Sequence, residues 1–233
     1  MKREPMSKNK IFGLAFLAVI IAGLGIISLS VQSGSSVAEE ASSIEADTDK
    51  LYDIEEVLSE RALGDENAPI TLIEFASLSC SHCATFHNNV YPKLKENYID
   101  TGKVRFIFSD YPLNAPAMDG SVAARCLPKD RYFKFIKFLF ATQEEWAYSS
   151  TPQKYILQNA KLLGGDGDKL AACLGSDDIR QGLVTSMQLA NKVYGINSTP
   201  SFRANDKALP GTRTYEEFSA SLDKLLEEST ATE

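Results

Sequence analysis

The sequence contains very little histidine, tryptophan or cysteine: two histidines, one tryptophan and four cysteines in 233 residues. Four cysteines are too few for a small disulfide-stapled scaffold, but they are enough for one reactive pair and one structural pair. Because two of the cysteines lie far from the others, the chain lacks the two-pair ligand spacing of a zinc site. We therefore predict no metal site and no cofactor.

Basic residues are outnumbered by acidic ones, 24 against 31, which gives a formal net charge of −7. Because residues 1–10 contribute +3 and residues 11–38 contain no charge, residues 39–233 carry −10. A protein of that sign repels a phosphate backbone, so no nucleic-acid partner is predicted. Apolar residues make up 44% of the chain, which is sufficient for a folded core.

Residues 1–38 have the pattern of a membrane-targeting segment. Four basic residues lie within residues 1–10, and residues 11–31 form an uncharged apolar stretch. We predict either a signal peptide or a membrane anchor, and favour the anchor slightly because a signal-peptide core usually has only ~7–15 residues. In both cases the basic end stays in the cytoplasm. The rest of the chain then lies in the periplasm or at the outer face of the bacterial inner membrane.

The remaining chain divides into an acidic linker over residues 39–50, a folded domain over residues 51–228 and a flexible tail over residues 229–233. The linker mixes five acidic residues with small ones and has no apolar period. Its composition therefore favours a solvated segment, and the first helical pattern begins only after it.

Strand and helix patterns alternate within the domain. A buried strand at residues 70–75 precedes a helix that opens at the first cysteine pair, and a second strand follows at residues 104–108. Helical patterns then cover about residues 116–194. Two short strands and a final helix complete the chain. This order predicts an α/β domain with a helical insertion.

The segment Cys80-Ser81-His82-Cys83 has the spacing of a redox-active cysteine pair. A thiolate is the nucleophile in disulfide exchange, and the free N–H groups at a helix N-terminus stabilise an anion there. Cys80 is therefore predicted to be the reactive thiol, with His82 adding charge or a hydrogen bond. Cys83 lies one turn further along the apolar face of the helix, and is predicted to be the shielded resolving thiol.

Three motifs resemble those of the DsbA-like thiol-disulfide oxidoreductases. They are Glu74-Phe75 at the end of the strand, Cys80-Ser81-His82-Cys83 six residues on, and Ser198-Thr199-Pro200-Ser201-Phe202 before the late strands. The resemblance covers roughly residues 60–228. It implies a thioredoxin fold with an inserted α-helical subdomain.

The resemblance also implies a role for Glu74. In this family the matching acidic residue lies buried beneath the disulfide and moves a proton to or from the second cysteine. A carboxylate at the end of an otherwise apolar strand suits such proton transfer to Cys83. Alternation of apolar residues alone also allows a solvent-facing glutamate at the strand end, and this alternative stays open here.

The Thr199-Pro200 bond resembles the cis-proline of the family, which faces the cysteine pair and presents backbone to a bound peptide. The resemblance therefore implies a cis bond and a substrate-binding loop at these two residues. The threonine departs from the valine found in the strongest oxidases and is similar to isomerase-like relatives. This departure leaves the choice between oxidase and isomerase open.

Cys126 and Cys173 fall within the helical block and are predicted to form a structural disulfide, because exported cysteines tend to be oxidised when geometry permits. Two free buried thiols are the alternative. Related exported members of the family often carry a second pair, which favours the disulfide.

Together these features predict an extracytoplasmic enzyme that introduces disulfide bonds into exported proteins by dithiol-disulfide exchange. Its expected partners are exported proteins with free thiols and a membrane quinone-linked thiol oxidase that restores the disulfide. The alternatives are a disulfide isomerase or reductase kept reduced by a membrane partner, and a Cu(I)-binding or chaperone module without turnover.

Overall fold

The computed structural model describes residues 52–210 and 214–230. The predicted targeting segment, the acidic linker and the last three residues lie outside the described residues. A five-stranded sheet with the order β1-β3-β2-β4-β5 forms the centre of the fold. Its strands are β1 (Ala62–Leu63), β2 (Ile70–Ala76), β3 (Val104–Asp110), β4 (Ser201–Ala204) and β5 (Lys207–Leu209).

Strand β2 is the middle strand, parallel to β3 and antiparallel to β4. Its sequence is rich in apolar and β-branched residues because helices and loops cover both of its faces. Ile70 and Leu72 are fully buried, and Glu74 lies opposite Phe108 on one side and Phe202 on the other. A glutamate therefore occupies the most enclosed part of the sheet.

The helices before and after the large insertion are α1 (Ile54–Leu58), α2 (Ser81–Asn89), α3 (Tyr91–Leu94) and α10 (Tyr215–Thr230). Helix α2 ends just before Pro92, and α3 continues into a π-helical turn at Lys95–Ile99. The division follows from the proline ring, which cannot donate the hydrogen bond of a continuous helix. Helix α10 ends at Thr230.

The helical insertion connects β3 to β4. It contains α4 (Ala115–Arg125), α5 (Lys129–Ala141), α6 (Gln143–Trp146), α7 (Pro152–Leu162), α8 (Gly167–Leu174) and α9 (Asp177–Tyr194). Asn114 caps α4 by accepting from the Ala117 N–H, and Ser176 caps α9 in the same way. Gly195 ends α9 in the left-handed region, with φ of 70°, where glycine has no steric cost. The predicted thioredoxin fold with a helical insertion is confirmed. No helix among the described residues is long and apolar enough to cross a membrane.

Cys126 and Cys173 are joined by a disulfide between the end of α4 and α8, with Cα atoms 6.3 Å apart and a sequence separation of 47 residues. A cross-link over a loop of this size restricts the unfolded chain. We expect the double variant Cys126→Ala/Cys173→Ala to lose roughly 2–4 kcal/mol of unfolding free energy, measured by denaturant titration. A variant as stable as the parent chain would show that the bond does not stabilise the fold.

Candidate active site

Cys80 lies where β2 ends and α2 begins, and it is the N-cap residue of that helix. Its sulfur accepts a hydrogen bond from the Cys83 backbone N–H at 3.4 Å, and its thiol donates to the Thr199 carbonyl at 3.3 Å. Cys80 is partly exposed, whereas Cys83 is 0% exposed; both are free thiols in this structure. Only one sulfur of the pair is therefore accessible to a substrate.

The Cys80 thiolate is stabilised by its surroundings. The hydrogen bond from the Cys83 thiol is the largest contribution, and it lowers the pKa of Cys80 to about 5 although partial burial opposes this. Thr199 and the backbone N–H groups of Cys83 and His82 lower the pKa further. The Thr199 hydroxyl is buried and has no hydrogen-bond partner among the described residues. These groups are fixed by the fold, so the anion is stabilised without reorganisation.

The thiolate form of Cys83, in contrast, is destabilised by its surroundings. Burial raises the pKa of the Cys83 thiol far above its ordinary value, and the hydrogen bond to Cys80 and the negative charge of Glu74 raise it further. Cys83 is consequently a thiol whenever the pair is reduced. The two cysteines of the motif thus differ in accessibility and in protonation.

This difference predicts a pH dependence for the reduced protein. We expect the thiolate absorbance of Cys80 to rise as the pH is raised through about 5. Because this pKa lies below the value of about 8.5 for an unfolded cysteine, ionisation stabilises the reduced fold fully above that value. The stabilisation is lost as the pH falls through about 5. Cys80→Ser is the control, since it removes the transition; a wild-type transition near the ordinary cysteine value would contradict the assignment.

His82 is exposed at the start of α2. Its backbone N–H lowers the pKa of Cys80, and the predicted contribution of its side chain stays a prediction. Any residue except proline at this position would supply the same backbone donor.

Glu74 lies beneath the cysteine pair and is 0% exposed, so the solvent-facing alternative for this residue is wrong. Its Oε2 is 2.8 Å from Nε2 of His87, which is itself buried. Its other carboxylate oxygen, Oε1, is buried and has no hydrogen-bond partner. The carboxyl group is thus anchored through Oε2, while Oε1 stays available for a further hydrogen bond.

The partner His87 was missed as a site residue from the sequence. It lies four residues after Cys83, on the same face of α2, and its ring stacks on Phe140 at a centroid distance of 4.2 Å. The available signal was this i, i+4 relation, which places both side chains above the strand that carries Glu74. Nothing in the sequence, however, says which strand residue the helix face meets.

The Thr199-Pro200 bond is cis, and its loop faces the cysteine pair through the contact between the Thr199 carbonyl and Cys80. The structure thus brings together Glu74, Cys80, Cys83, Thr199 and Pro200. The Cys126-Cys173 disulfide is a separate feature of the helical insertion. Among the described residues, no group of three or more His, Cys, Asp or Glu side chains is arranged to hold a metal ion.

A cysteine pair at a helix N-terminus, opposite a cis-proline loop on a mixed sheet, defines a thioredoxin-fold exchange site. A thioredoxin family model matches residues 56–224. The crystal structure of Wolbachia pipientis alpha-DsbA1 is 32% identical with a TM-score of 0.70, covering 75% of this chain and 94% of that one. The chain therefore belongs to the thioredoxin family, among its DsbA-like thiol-disulfide oxidoreductases.

Curated relatives carry related names. A Rickettsia felis protein provisionally named a protein-disulfide oxidoreductase is 28% identical over 171 residues, 73% of this chain. The chain spans only 61% of the length of that protein. Disulfide bond formation protein D of Bacillus subtilis is 25% identical over 176 residues, which are 70% of this chain and 76% of that protein.

Proposed function

We propose that this protein is an oxidase that transfers a disulfide from Cys80 and Cys83 to the thiols of exported proteins. The observation that carries the proposal is the asymmetry of the pair: Cys80 is accessible with a pKa lowered to about 5, whereas Cys83 is buried with a raised pKa. A stabilised Cys80 thiolate favours the reduced pair, which makes the oxidised protein a stronger donor of disulfides.

The first step begins from the oxidised pair. A substrate thiolate attacks the Cys80 sulfur, a new sulfur-sulfur bond forms, and the bond between Cys80 and Cys83 breaks. The electron pair of that bond leaves with the Cys83 sulfur. Since a Cys83 thiolate is strongly disfavoured, it takes up a proton, and Glu74 in its protonated form is the donor that we assign.

The second step releases the product. A second substrate thiolate attacks the substrate sulfur of the mixed disulfide, and Cys80 leaves as a thiolate. A leaving thiol of low pKa leaves faster, so the lowered pKa of Cys80 promotes this step. Two substrate thiols have then become one disulfide, and one of their two protons replaces the one that Glu74 gave up. The other proton passes to solvent.

The basic, then uncharged N-terminal residues support export to the periplasm or the outer face of the inner membrane. In that compartment free thiols of newly exported proteins are the substrates. Each turnover leaves the pair reduced, so an external oxidant is required. We assign this role to a membrane quinone-linked thiol oxidase.

The equilibrium redox potential of the pair tests the proposal. We would measure it in glutathione buffers on residues 39–233, with Cys126 and Cys173 intact. A potential near about −120 mV is the result expected of a dedicated oxidase. A value near about −270 mV would overturn the proposal and indicate a reductant.

A disulfide isomerase is the second candidate, because threonine precedes Pro200 where the strongest oxidases of this family have valine. An isomerase works with a reduced pair and commonly with two cooperating sites. Sedimentation of the exported part distinguishes the two candidates: a stable dimer or trimer favours the isomerase, whereas a monomer favours the oxidase.

A further inference from the structure

The loop between β2 and α2 is held by side chains from the helical insertion. The Gln143 side-chain amide donates to the carbonyl of Leu78 at 2.7 Å and to that of Cys80 at 3.0 Å. The Tyr148 hydroxyl donates to the intervening carbonyl of Ser79 at 3.2 Å. Three successive carbonyl groups, ending with that of the reactive cysteine, therefore accept hydrogen bonds from α6 and the residues just after it.

The Gln143 amide is fixed in place by burial and by the packing of α6. Gln143 is only 5% exposed, and a buried amide that lost these acceptors would leave polar groups unsatisfied on both sides. Trp146, in the same short helix, is fully buried and donates from its indole nitrogen to the Leu139 carbonyl at 2.9 Å. Helix α6 is thus locked onto α5 and carries Gln143 to the loop, while Tyr148 lies two residues after the end of α6.

The direction of the three carbonyl groups matters for the sulfur of Cys80. Carbonyl oxygens carry partial negative charge, and they destabilise an anion that they face. Gln143 and Tyr148 direct these oxygens toward the insertion, while the N–H groups of His82 and Cys83 remain directed at the Cys80 sulfur. The Cys80 carbonyl also accepts from the Ala84 N–H at 3.1 Å within α2, so loss of the two side chains releases the Leu78 and Ser79 carbonyls and loosens the N-cap geometry at Cys80.

We propose that Gln143 and Tyr148 form a clasp by which the helical insertion positions Cys80 at the N-terminus of α2 and so controls exchange at that sulfur. Both are positioning residues, since they act through the loop backbone. The proposal rests on the proposed function for its biological meaning. Its geometry and its test concern the Cys80 sulfur alone.

The test uses variants that remove donors with little change of shape. Gln143→Met keeps the length of the side chain and removes the amide, and Tyr148→Phe removes only a hydroxyl. Tyr155→Phe is the matched control, because its hydroxyl lies on the same insertion but bonds to Glu145 instead of the loop. Thiolate absorbance against pH and the alkylation rate of Cys80 are measured on each reduced protein, together with denaturant unfolding.

We expect the Cys80 transition to move upward by about one pH unit in Gln143→Met, which corresponds to a tenfold loss of thiolate stabilisation. A shift in the same direction is expected in Tyr148→Phe. In both variants the Cys80 sulfur is misplaced, so we expect exchange with a model disulfide to slow by roughly 10–100-fold. Tyr155→Phe retains the wild-type titration. A purely structural role of Gln143 and Tyr148 would lower the unfolding free energy and leave the titration unchanged, which would overturn the proposal.

Tyr148→Phe keeps the test decisive if Gln143→Met does not fold, because the Tyr148 side chain is 68% exposed and its hydroxyl supports no core contact. A wild-type titration in this variant would then refute the clasp. Failure of the proposed function has a different result: the wild-type protein would lack exchange activity or an oxidising potential, whatever the variants do to the titration of Cys80.

Discussion

Cys83→Ala is expected to form a stable mixed disulfide through Cys80, whereas Cys80→Ala is expected to form none. Cys80 is accessible and ionised, so it reacts with an external disulfide such as oxidised glutathione; in Cys83→Ala no internal thiol remains to resolve the product. Cys83 is 0% exposed with a raised pKa, so in Cys80→Ala the remaining thiol neither meets the reagent nor ionises. We expect turnover in both variants to fall to the uncatalysed rate.

Mass spectrometry of the two proteins after incubation with oxidised glutathione gives the measurement. The structural disulfide stays intact in both variants and serves as the internal reference. The assignment of roles is refuted if Cys80→Ala acquires glutathione as readily as Cys83→Ala, because Cys83 would then be open to external disulfides.

His87→Leu is expected to destabilise the fold by about 1–3 kcal/mol, which is the cost of leaving a buried polar group without its hydrogen-bond partner. The imidazole and the Glu74 carboxyl group are hydrogen-bonded at 2.8 Å with less than 5% of either residue exposed. In the variant the carboxyl group keeps its buried position and loses the only hydrogen-bond partner that it has among the described residues. Denaturant unfolding of the reduced and the oxidised protein measures the loss.

The double variant Glu74→Leu/His87→Leu is the matched control. Replacing both partners with apolar side chains leaves no buried polar group without a partner at these positions, so we expect its stability to return close to that of the wild-type protein. Exchange does not recover, because the proton donor for Cys83 is absent; a rate about 10²-fold lower is typical when a general acid is lost. Equal stability of the single and double variants would mean that the pair does not act as a unit.

The sequence predicts the strand and the helix that carry the cysteine pair, because the relevant signals are local. A buried strand, the cysteine pair and a helix follow each other within residues 70–89, and each of the three has its own pattern. The presence of the helical insertion was also predictable, since its helices are amphipathic; Asn114 caps its first helix and a glycine at position 195 follows its last. Patterns of this kind depend only on neighbouring residues.

The residues that complete the site have no local signal. His87 looks like any residue on a helix face until Glu74 is known to lie below it, and the two come from different elements of secondary structure. Gln143 is 63 residues away from Cys80 in sequence, within a four-residue helix of ordinary composition. Only the packing of the insertion onto the loop gives this amide its acceptors. The sequence therefore does not determine polar contacts between residues that are far apart along the chain.

The central position of β2 has a consequence for how the protein is made. Glu74 pairs with Phe108, which is close in sequence, on one side, and with Phe202, which follows the whole insertion, on the other. Closing the longer loop costs more chain entropy and takes more time, so β4 joins the sheet late. Thr199 arrives with β4. During folding the chain therefore carries its cysteine motif before Thr199 completes the site around Cys80.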